Sequence, residues 1–153
     1  MGDRVEVRQA MATDAAAIRE LTRAAYAKWV PLIGREPKPM TADYEAAVAR
    51  HRFDLLYIED TLAALIETIR GTDHLLVENV AVSPSFQGRG LGRKLMEHAE
   101  MLARELGFGT IRLYTNQRFA GNIALYLRLG YRIDREEVVP VGVVTHMSKQ
   151  LGY

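Results

Sequence analysis

Three glycines stand at alternate positions in residues 87–92, QGRGLG, where an apolar stretch gives way to a helical pattern. Main-chain amides at a helix N-terminus lack partners inside the helix and carry a partial positive charge, so they attract anions. Glycines remove the side chains that would keep a phosphate away. Each charge-assisted hydrogen bond contributes about 1.5–3 kcal/mol, which exceeds the entropic cost of roughly 1 kcal/mol for a glycine. The pattern predicts a phosphate-binding loop; a turn that merely allows close strand–helix packing is the alternative.

The glycine spacing separates this loop from two common nucleotide motifs. The dinucleotide fingerprint needs two residues between its second and third glycines, and a P-loop needs a lysine followed by serine or threonine. Neither pattern occurs at this loop. The chain has no cysteine, which excludes disulfides and a thiol-linked enzyme intermediate. The four histidines show no paired metal-ligand spacing, so no metal is expected.

A long amphipathic helix is predicted directly after the glycines. Its apolar residues recur at helical spacing, and Gly107 stands where a helix-ending glycine would. The apolar positions are Leu91, Leu95, Ala99, Leu102 and Leu106. This arrangement puts the loop at the N-terminus of a helix, as phosphate binding requires.

The other elements follow from hydrophobic periodicity and from turn residues. A strand at residues 4–9 precedes a helix at 11–29, and three prolines with Gly34 predict a loop over 30–40. A second helix follows, capped by Thr41. Three strands come before the glycines, and a strand, a short helix and two strands come after the long helix. The order β-α-α-β-β-β-α-β-α-β-β predicts one domain, residues 1–153, with a mixed sheet and helices on both faces.

Charge and hydropathy limit the kinds of partner that the chain is expected to bind. Lysine and arginine number 20 against 19 aspartate and glutamate residues, so no strong field favours nucleic acid or an anionic membrane. The N-terminal residues lack the apolar core of a signal peptide, and no apolar run approaches the roughly 18 residues of a membrane span. We expect a soluble, cytoplasmic protein that binds neither nucleic acid nor a membrane.

Two segments resemble the GNAT superfamily of acetyl-CoA-dependent N-acetyltransferases. VENVAVSPSFQGRGLGRKLM matches the strand–loop–helix motif of that superfamily, Q/R-x-x-G-x-G/A, and LYTN followed by GNIALYLRLGY resembles the motif that comes next. The resemblance implies an α/β (α+β) fold with a mixed, largely antiparallel sheet of about seven strands and about four helices. It implies acetyl-CoA as cosubstrate.

The same resemblance implies positions for the cosubstrate. The main chain of Val80, Ala81 and Val82 would pair with the pantetheine arm as an added strand would. Asn122 would bond the cosubstrate, and Tyr126 would point its hydroxyl at the sulfur. The pyrophosphate would be wrapped by Gln87, Gly88, Arg89, Gly90, Leu91, Gly92 and Arg93.

Acetyl transfer to an amine needs proton-handling groups. An alkylammonium with a pKa of about 10.4 is protonated at neutral pH, so a base or a water chain is required. Glu78 is the candidate base, and a solvent-facing or arginine-paired carboxylate is its alternative. The Val82 N–H would stabilise the oxyanion, and Tyr126 would protonate the departing thiolate. Packing into the core is the alternative for Tyr126.

The acceptor side is less constrained by the sequence. Trp29, Arg35 and Tyr44 lie in or near the predicted loop and could close over the thioester. Asn116 could bond substrate or cosubstrate, although an asparagine after a strand is more often a turn residue. The acceptor itself, a small-molecule or protein amine, stays unidentified.

Three hypotheses follow. The first is an enzyme that transfers acetyl directly to a primary amine in a ternary complex. The second is a non-catalytic acyl-CoA-binding or regulatory module, and the third is a nucleotide-binding protein unrelated to CoA. The last strands, which depart from the usual pattern at VPVGVVTHMSKQL, could also pair two subunits in a homodimer.

Overall fold

Seven strands form one continuous sheet in the computed structural model, which describes residues 4–152. Their order in the sheet is β1-β2-β3-β4-β5-β7-β6. Only β4 and β5 are parallel; every other neighbouring pair is antiparallel. The predicted mixed, largely antiparallel sheet is therefore confirmed. The strands are β1 (Val5–Gln9), β2 (Arg52–Ile58), β3 (Thr61–Arg70), β4 (Leu75–Val82), β5 (Thr110–Asn116), β6 (Arg132–Val139) and β7 (Gly142–Gln150).

Helices cover both faces of the sheet, as predicted. Four of them have seven residues or more, and two short ones lie between the first and the fourth. They are α1 (Ala15–Tyr26), α2 (Val30–Ile33), α3 (Lys38–Thr41), α4 (Tyr44–Arg50), α5 (Leu91–Glu105) and α6 (Ala120–Arg128).

The short helices correct the prediction of a plain loop over residues 30–40. Pro31 and Pro39 each stand in the first turn of a helix, where the missing N–H would have had no partner inside the helix. The cap of α4 is also corrected. Asp43, not Thr41, precedes this helix, and its side chain accepts a hydrogen bond from the Ala46 N–H at 3.2 Å.

Two apolar cores flank the sheet. One lies under α5, where Leu95, Met96 and Ala99 are fully buried against β3, β4 and β5. The other lies under α1 and α4 and includes Ile18 and Phe53. The apolar stripe predicted for α5 is confirmed, and Gly107 follows the helix with a φ of 84°. The packing of α5 fixes the position of the glycine loop that precedes it.

The sheet opens between β4 and β5. The two strands pair only through Leu75–Val77 and Ile111–Leu113, and each strand then continues without the other. The register between β3 and β4 shifts at the same place, because Thr68 opposes Val77 while Glu67 opposes Asn79. Glu78 is thus the extra residue of a β-bulge, a feature that bends a strand and ends regular pairing. The bulge and the loss of pairing together create the gap.

We predict that Leu95→Ala lowers the free energy of unfolding by about 2–5 kcal/mol, because it removes a fully buried side chain and leaves a cavity. Met101→Ala is the control: Met101 lies on the same helix with 50% of its surface exposed, and we expect a change within about 0.5 kcal/mol. Denaturant unfolding of the two variants measures both values. Equal losses would show that α5 does not anchor the sheet as described.

Candidate functional site

A cleft of about 480 Å³ occupies the gap beside the end of β4. Four segments line it: the end of β4, the loop that leads into α5, α6, and the C-terminal end of α1 with the residues after it. The lining residues are Ala25, Tyr26, Lys28, Trp29, Val80, Ala81, Val82, Phe86, Gln87, Gly88, Gly90, Leu91, Gly92, Arg93, Asn122, Leu125, Tyr126 and Arg128. The structure thus brings together all the predicted cosubstrate-binding residues except Arg89, whose guanidinium lies 5.1 Å from the centre of the Phe86 ring.

The exposed edge of β4 is formed by alternate residues. The Ala81 position pairs with Leu65 of β3, and the next N–H on the same side, that of Ser83, donates to the Ala63 carbonyl at 2.8 Å. Because main-chain groups alternate along a strand, those of Val80 and Val82 face the gap. A strand-like ligand would therefore pair with Val80 and Val82, whereas Ala81 contributes to the cleft wall.

Two side chains already reach this edge. The Gln87 amide donates to the Val82 carbonyl at 3.1 Å, and the Tyr26 hydroxyl lies 3.3 Å from the Val80 carbonyl. Gln87 also accepts a hydrogen bond from the Lys28 ammonium at 3.3 Å. These contacts hold the loop at a fixed place between β4 and the segment after α1.

The glycine loop is open rather than tightly packed. Gly88 and Gly90 have φ values of 81° and 77°, a left-handed conformation that glycine adopts without strain. A Cβ atom at either position would meet no described atom within 4 Å, and at Gly92 it would meet only Leu125 at 3.7 Å. Close packing therefore does not explain the three glycines. The loop leaves its main chain accessible from the cleft.

The start of α5 supplies free amides next to this loop. The first helical hydrogen bond runs from the Lys94 N–H to the Gly90 carbonyl at 3.1 Å. The amides of Leu91, Gly92 and Arg93 precede it and have no carbonyl one turn earlier inside the helix. This cradle fits a phosphate group, since amide donors and the helix dipole both favour an anion there.

Tyr126 lies in the wall of the cleft on α6, with 9% of its surface exposed. Its ring packs edge-to-face on Tyr131, with 6.1 Å between the ring centres. Burial raises the pKa of Tyr126 to about 12, so the hydroxyl stays protonated at neutral pH. The side chain packs in the core and also faces the cleft, where its protonated hydroxyl can donate.

Glu78 points away from the cleft, on the side of the sheet that faces α1 and α4. Its carboxylate is half-buried and accepts a hydrogen bond from the Tyr114 hydroxyl on β5. Burial, and then the Glu78 carboxylate, raise the pKa of Tyr114, so this tyrosine is a neutral donor. Among residues 4–152, the side chain that donates a hydrogen bond to Glu78 is thus a tyrosine and not an arginine. The hydrogen bond from Tyr114 to Glu78 spans the gap between β5 and β4.

Tyr26 connects the cleft with the region around Glu78. Its hydroxyl donates to Asn79 Oδ1 at 2.7 Å, and burial raises its pKa well above the usual value. No local pattern in the sequence marks Tyr26, Asn79 or Tyr114 as residues of the site. Their contacts join residues 36 and 53 positions apart. Only the bulge, which turns Glu78 and Asn79 toward the same side, brings them together.

Trp29 lies at the cleft, as predicted. Its ring stacks on Phe119 with 4.3 Å between ring centres, and the Lys28 ammonium lies 5.0 Å from its centre. The Arg118 guanidinium donates to the Leu32 carbonyl at 2.8 Å. The two contacts join the segment after α1 to the loop after β5 and close one side of the gap.

The structure places the other three predicted acceptor residues away from the cleft. Tyr44 is 1% exposed in the core, where its hydroxyl donates to the Pro39 carbonyl at 2.6 Å. The Asn116 side chain accepts a hydrogen bond from the Arg118 N–H at 2.8 Å, so Asn116 is a turn residue, the alternative that the sequence left open. Arg35 lies between α2 and α3 and donates to the Glu36 carbonyl.

Within residues 4–152, no three histidine, aspartate or glutamate side chains converge as a metal site would require. No helix in the same part of the chain is long and apolar enough to span a membrane.

The sequence model of the acetyltransferase (GNAT) family matches residues 15–131. This chain belongs to the acetyltransferase (GNAT) family. The match covers the cleft, the glycine loop and Tyr126, and it confirms the resemblance seen in the sequence. The GNAT fold agrees with the solved PaiA N-acetyltransferase of Thermoplasma acidophilum in complex with coenzyme A. That structure aligns with a TM-score of 0.81 at 16% identity, over 96% of this chain and 99% of that one.

Two curated relatives of this GNAT chain are enzymes with different named acceptors. The [ribosomal protein bS18]-alanine N-acetyltransferase of Salmonella typhimurium is 40% identical over 76 residues, which are 50% of this chain and 51% of that protein. The streptothricin acetyltransferase of Streptomyces lavendulae is 40% identical over 57 residues, 37% of this chain and 30% of that protein. The matches span about half, and less than a third, of the lengths of these relatives.

We predict that Tyr26→Phe lowers the free energy of unfolding by about 1–3 kcal/mol, because it leaves the buried Asn79 oxygen without its donor. Asn79 Nδ2 already lacks a partner among the described residues, so the side chain has no other anchor. Tyr57→Phe is the matched control, since that hydroxyl accepts from Arg8 near the surface. Thermal unfolding compares the two; an equal effect would contradict the role given to Asn79.

Proposed function

We propose that this chain is an acetyl-CoA-dependent N-acetyltransferase that passes acetyl directly to a primary amine in a ternary complex. The observation that carries the proposal is one cleft that combines an unpaired strand edge, an open glycine loop at a helix N-terminus and a protonated tyrosine. The absence of cysteine from the sequence supports direct transfer, because a thiol-linked acetyl-enzyme cannot form.

Acetyl-CoA fits the cleft in one orientation. The pyrophosphate would accept hydrogen bonds from the amides of Gly88, Gly90 and the first turn of α5. The pantetheine arm carries amide groups that can pair with the Val80 and Val82 main chain as an added strand would. Asn122 and Arg93 line the same channel and would bind the cosubstrate. The thioester would then lie near Val82 and Tyr126.

Three groups of the chain take part in the proposed chemistry. Glu78 takes a proton from the acceptor ammonium through water, since its carboxylate lies on the other side of β4 from the cleft. The Val82 N–H stabilises the oxyanion that forms when nitrogen attacks. Tyr126 donates to the sulfur as the C–S bond breaks. A proton from nitrogen replaces the one that Tyr126 gives up, so the tyrosine ends the cycle protonated. Trp29 forms the wall where the acceptor enters.

The acceptor proposed here is a primary amine of a protein or of a small molecule. The names of the relatives support both kinds, since one acts on an alanine of a ribosomal protein and the other on streptothricin. A panel of three amines separates the choices: a peptide with an N-terminal alanine, spermidine and streptothricin. Thiol release from acetyl-CoA is the readout. Acetyl-CoA binding without turnover of any amine would favour the non-catalytic module.

We predict that calorimetry detects acetyl-CoA binding in the micromolar range, and that Gly90→Glu weakens it at least about tenfold, because a carboxylate would stand beside the pyrophosphate. Gly90→Asn is the matched control: asparagine tolerates the left-handed backbone and adds no charge. We expect Gly90→Asn to keep most of the affinity. If no CoA species binds to the wild-type protein, or if ATP binds as tightly as CoA, the proposed function is wrong.

We predict that Tyr126→Phe lowers kcat about 10²-fold, because it removes the proton donor of the leaving sulfur. Acetyl-CoA affinity should stay unchanged. Tyr131→Phe removes the neighbouring hydroxyl, which donates to Glu100 outside the cleft, and serves as the control. Since the acidic form is active and its pKa is about 12, Tyr126 should cause no loss of rate below that pH. An unchanged kcat in Tyr126→Phe would remove this role.

A further inference from the structure

Proton balance requires that one proton reaches solvent in each cycle of the proposed reaction. An alkylammonium and acetyl-CoA yield an N-acetylated amine, the thiol of CoA and one free proton. Two protons therefore leave the nitrogen in each cycle. One ends on the sulfur by way of Tyr126, and the other must reach water. Glu78 is half-buried and accepts a hydrogen bond from Tyr114, so a neighbouring group that takes over the proton would assist its transfer to water.

A second carboxylate lies beside Glu78. Glu67 on β3 is the register partner of Asn79, the residue next to the bulge, and it faces the same side of the sheet as Glu78. Its surface is 5% exposed, and burial raises its pKa. The nearby Glu78 charge acts in the same direction. A buried carboxylate that holds a proton readily is suited to accept one from an ammonium group.

A histidine connects this carboxylate with the surface. His51, the residue directly after α4, places Nδ1 2.6 Å from Glu67 Oε2. The His51 side chain is 28% exposed, against 6% for the side chain of Glu67. Imidazole gains and loses a proton near neutral pH, which allows it to pass a proton from a buried acid to water.

The other groups that face Glu67 do not compete for the proton. The Glu67 charge acts on three tyrosines, Tyr44 of α4, Tyr26 of α1 and Tyr114 of β5. Glu78 of β4 and His51 act on Glu67 itself. Burial raises the pKa of all three tyrosines, that of Tyr44 to about 12, so they remain neutral. Two carboxylates and one histidine thus share the exchangeable protons on this side of β4.

We propose that Glu67 and His51 form the exit path that carries the proton of the acceptor amine from the region of Glu78 to solvent. The proposal rests on the proposed function. The proton passes from nitrogen to the carboxylate pair, from Glu67 Oε2 to His51 Nδ1, and from the imidazole to water. The dyad returns to its starting state in each cycle, and no oxidant or further reactant is needed.

The kinetic test compares two acceptors. Hydroxylamine is unprotonated at neutral pH and gives acetohydroxamate and thiol with no net proton release, whereas the panel amines release one proton. For the panel amine that the wild type acetylates, Glu67→Gln should lower kcat/KM roughly tenfold to a hundredfold at neutral pH. The acid limb of the profile should move to lower pH, because the carboxyl with the raised pKa is gone. The rate with hydroxylamine should change little.

Control variants separate this path from a structural role. His51→Gln should reproduce the effect of Glu67→Gln, and Glu45→Gln, on the exposed face of α4 beside Arg19, should leave both rates unchanged. Equal losses with both acceptors, or a full rate with the panel amine in Glu67→Gln, would overturn the proposal.

A second measurement needs neither cosubstrate nor acceptor. An NMR titration of the His51 ring should shift when Glu78 is replaced by Gln, because the two carboxylates share protons with the imidazole. An unchanged titration would overturn the exit path even in an active enzyme. Failure of the proposed function would be distinguishable, because it would appear as absence of acetyl-CoA binding in the calorimetric experiment. The NMR comparison of the wild type with Glu78→Gln does not depend on that binding.

Discussion

The parting of β4 from β5 after Val77 is the constraint on which the rest of the structure depends. Strand residues without a neighbouring strand leave main-chain donors and acceptors unpaired, which is costly when they are buried. Among residues 4–152, the side chains that reach the carbonyls of Val80 and Val82 are those of Tyr26 and Gln87. The edge is therefore incomplete within the chain and suited to an amide-bearing ligand. The cleft, the glycine loop and the bulge all lie at this one place.

Packing on the two faces keeps the gap open without separating the halves of the sheet. Under α5, a single core includes residues of β3, β4, β5 and β7, so the strands stay joined beneath the opening. On the other side, the Trp29–Phe119 stack and the Arg118–Leu32 hydrogen bond join the segment after α1 to the loop after β5. The gap is thus a fixed feature of a continuous fold.

Local patterns in the sequence predicted the elements and the cosubstrate side of the site. Periodicity predicted the stripe of α5, the glycine spacing predicted the loop, and the resemblance to the GNAT superfamily implied the position of Tyr126; all three depend on residues close together in the chain. The acceptor side could not be predicted in this way. Glu67 and His51 meet only through the register of β2, β3 and α4, and the bulge at Glu78 changes which side chains share a face.

Long-range packing and turn geometry also explain why Tyr44 and Asn116, predicted on the acceptor side, lie away from the cleft. Tyr44 looks available in a proline-rich stretch, yet its ring packs edge-on against Phe53, 6.0 Å between centres, because α4 needs a large apolar group on the sheet. Asn116 is the last residue of β5, where the chain turns toward α6, and its side chain accepts a hydrogen bond from the Arg118 N–H two residues later. Burial in the core therefore determines the position of the Tyr44 side chain, and turn formation determines that of Asn116.

The groups that we propose to transfer protons lie on opposite sides of one strand. Tyr126 belongs to the core under α5, and the Glu67–Glu78 pair faces α1 and α4. Such a separation is useful, because a carboxylate next to Tyr126 would raise its pKa further and weaken it as an acid. In the proposed mechanism, β4 presents its main chain to the cosubstrate and separates the proposed acid from the proposed base. The bulge makes this possible, since it turns Glu78 away from the cleft while Val80 and Val82 remain at the edge of the gap.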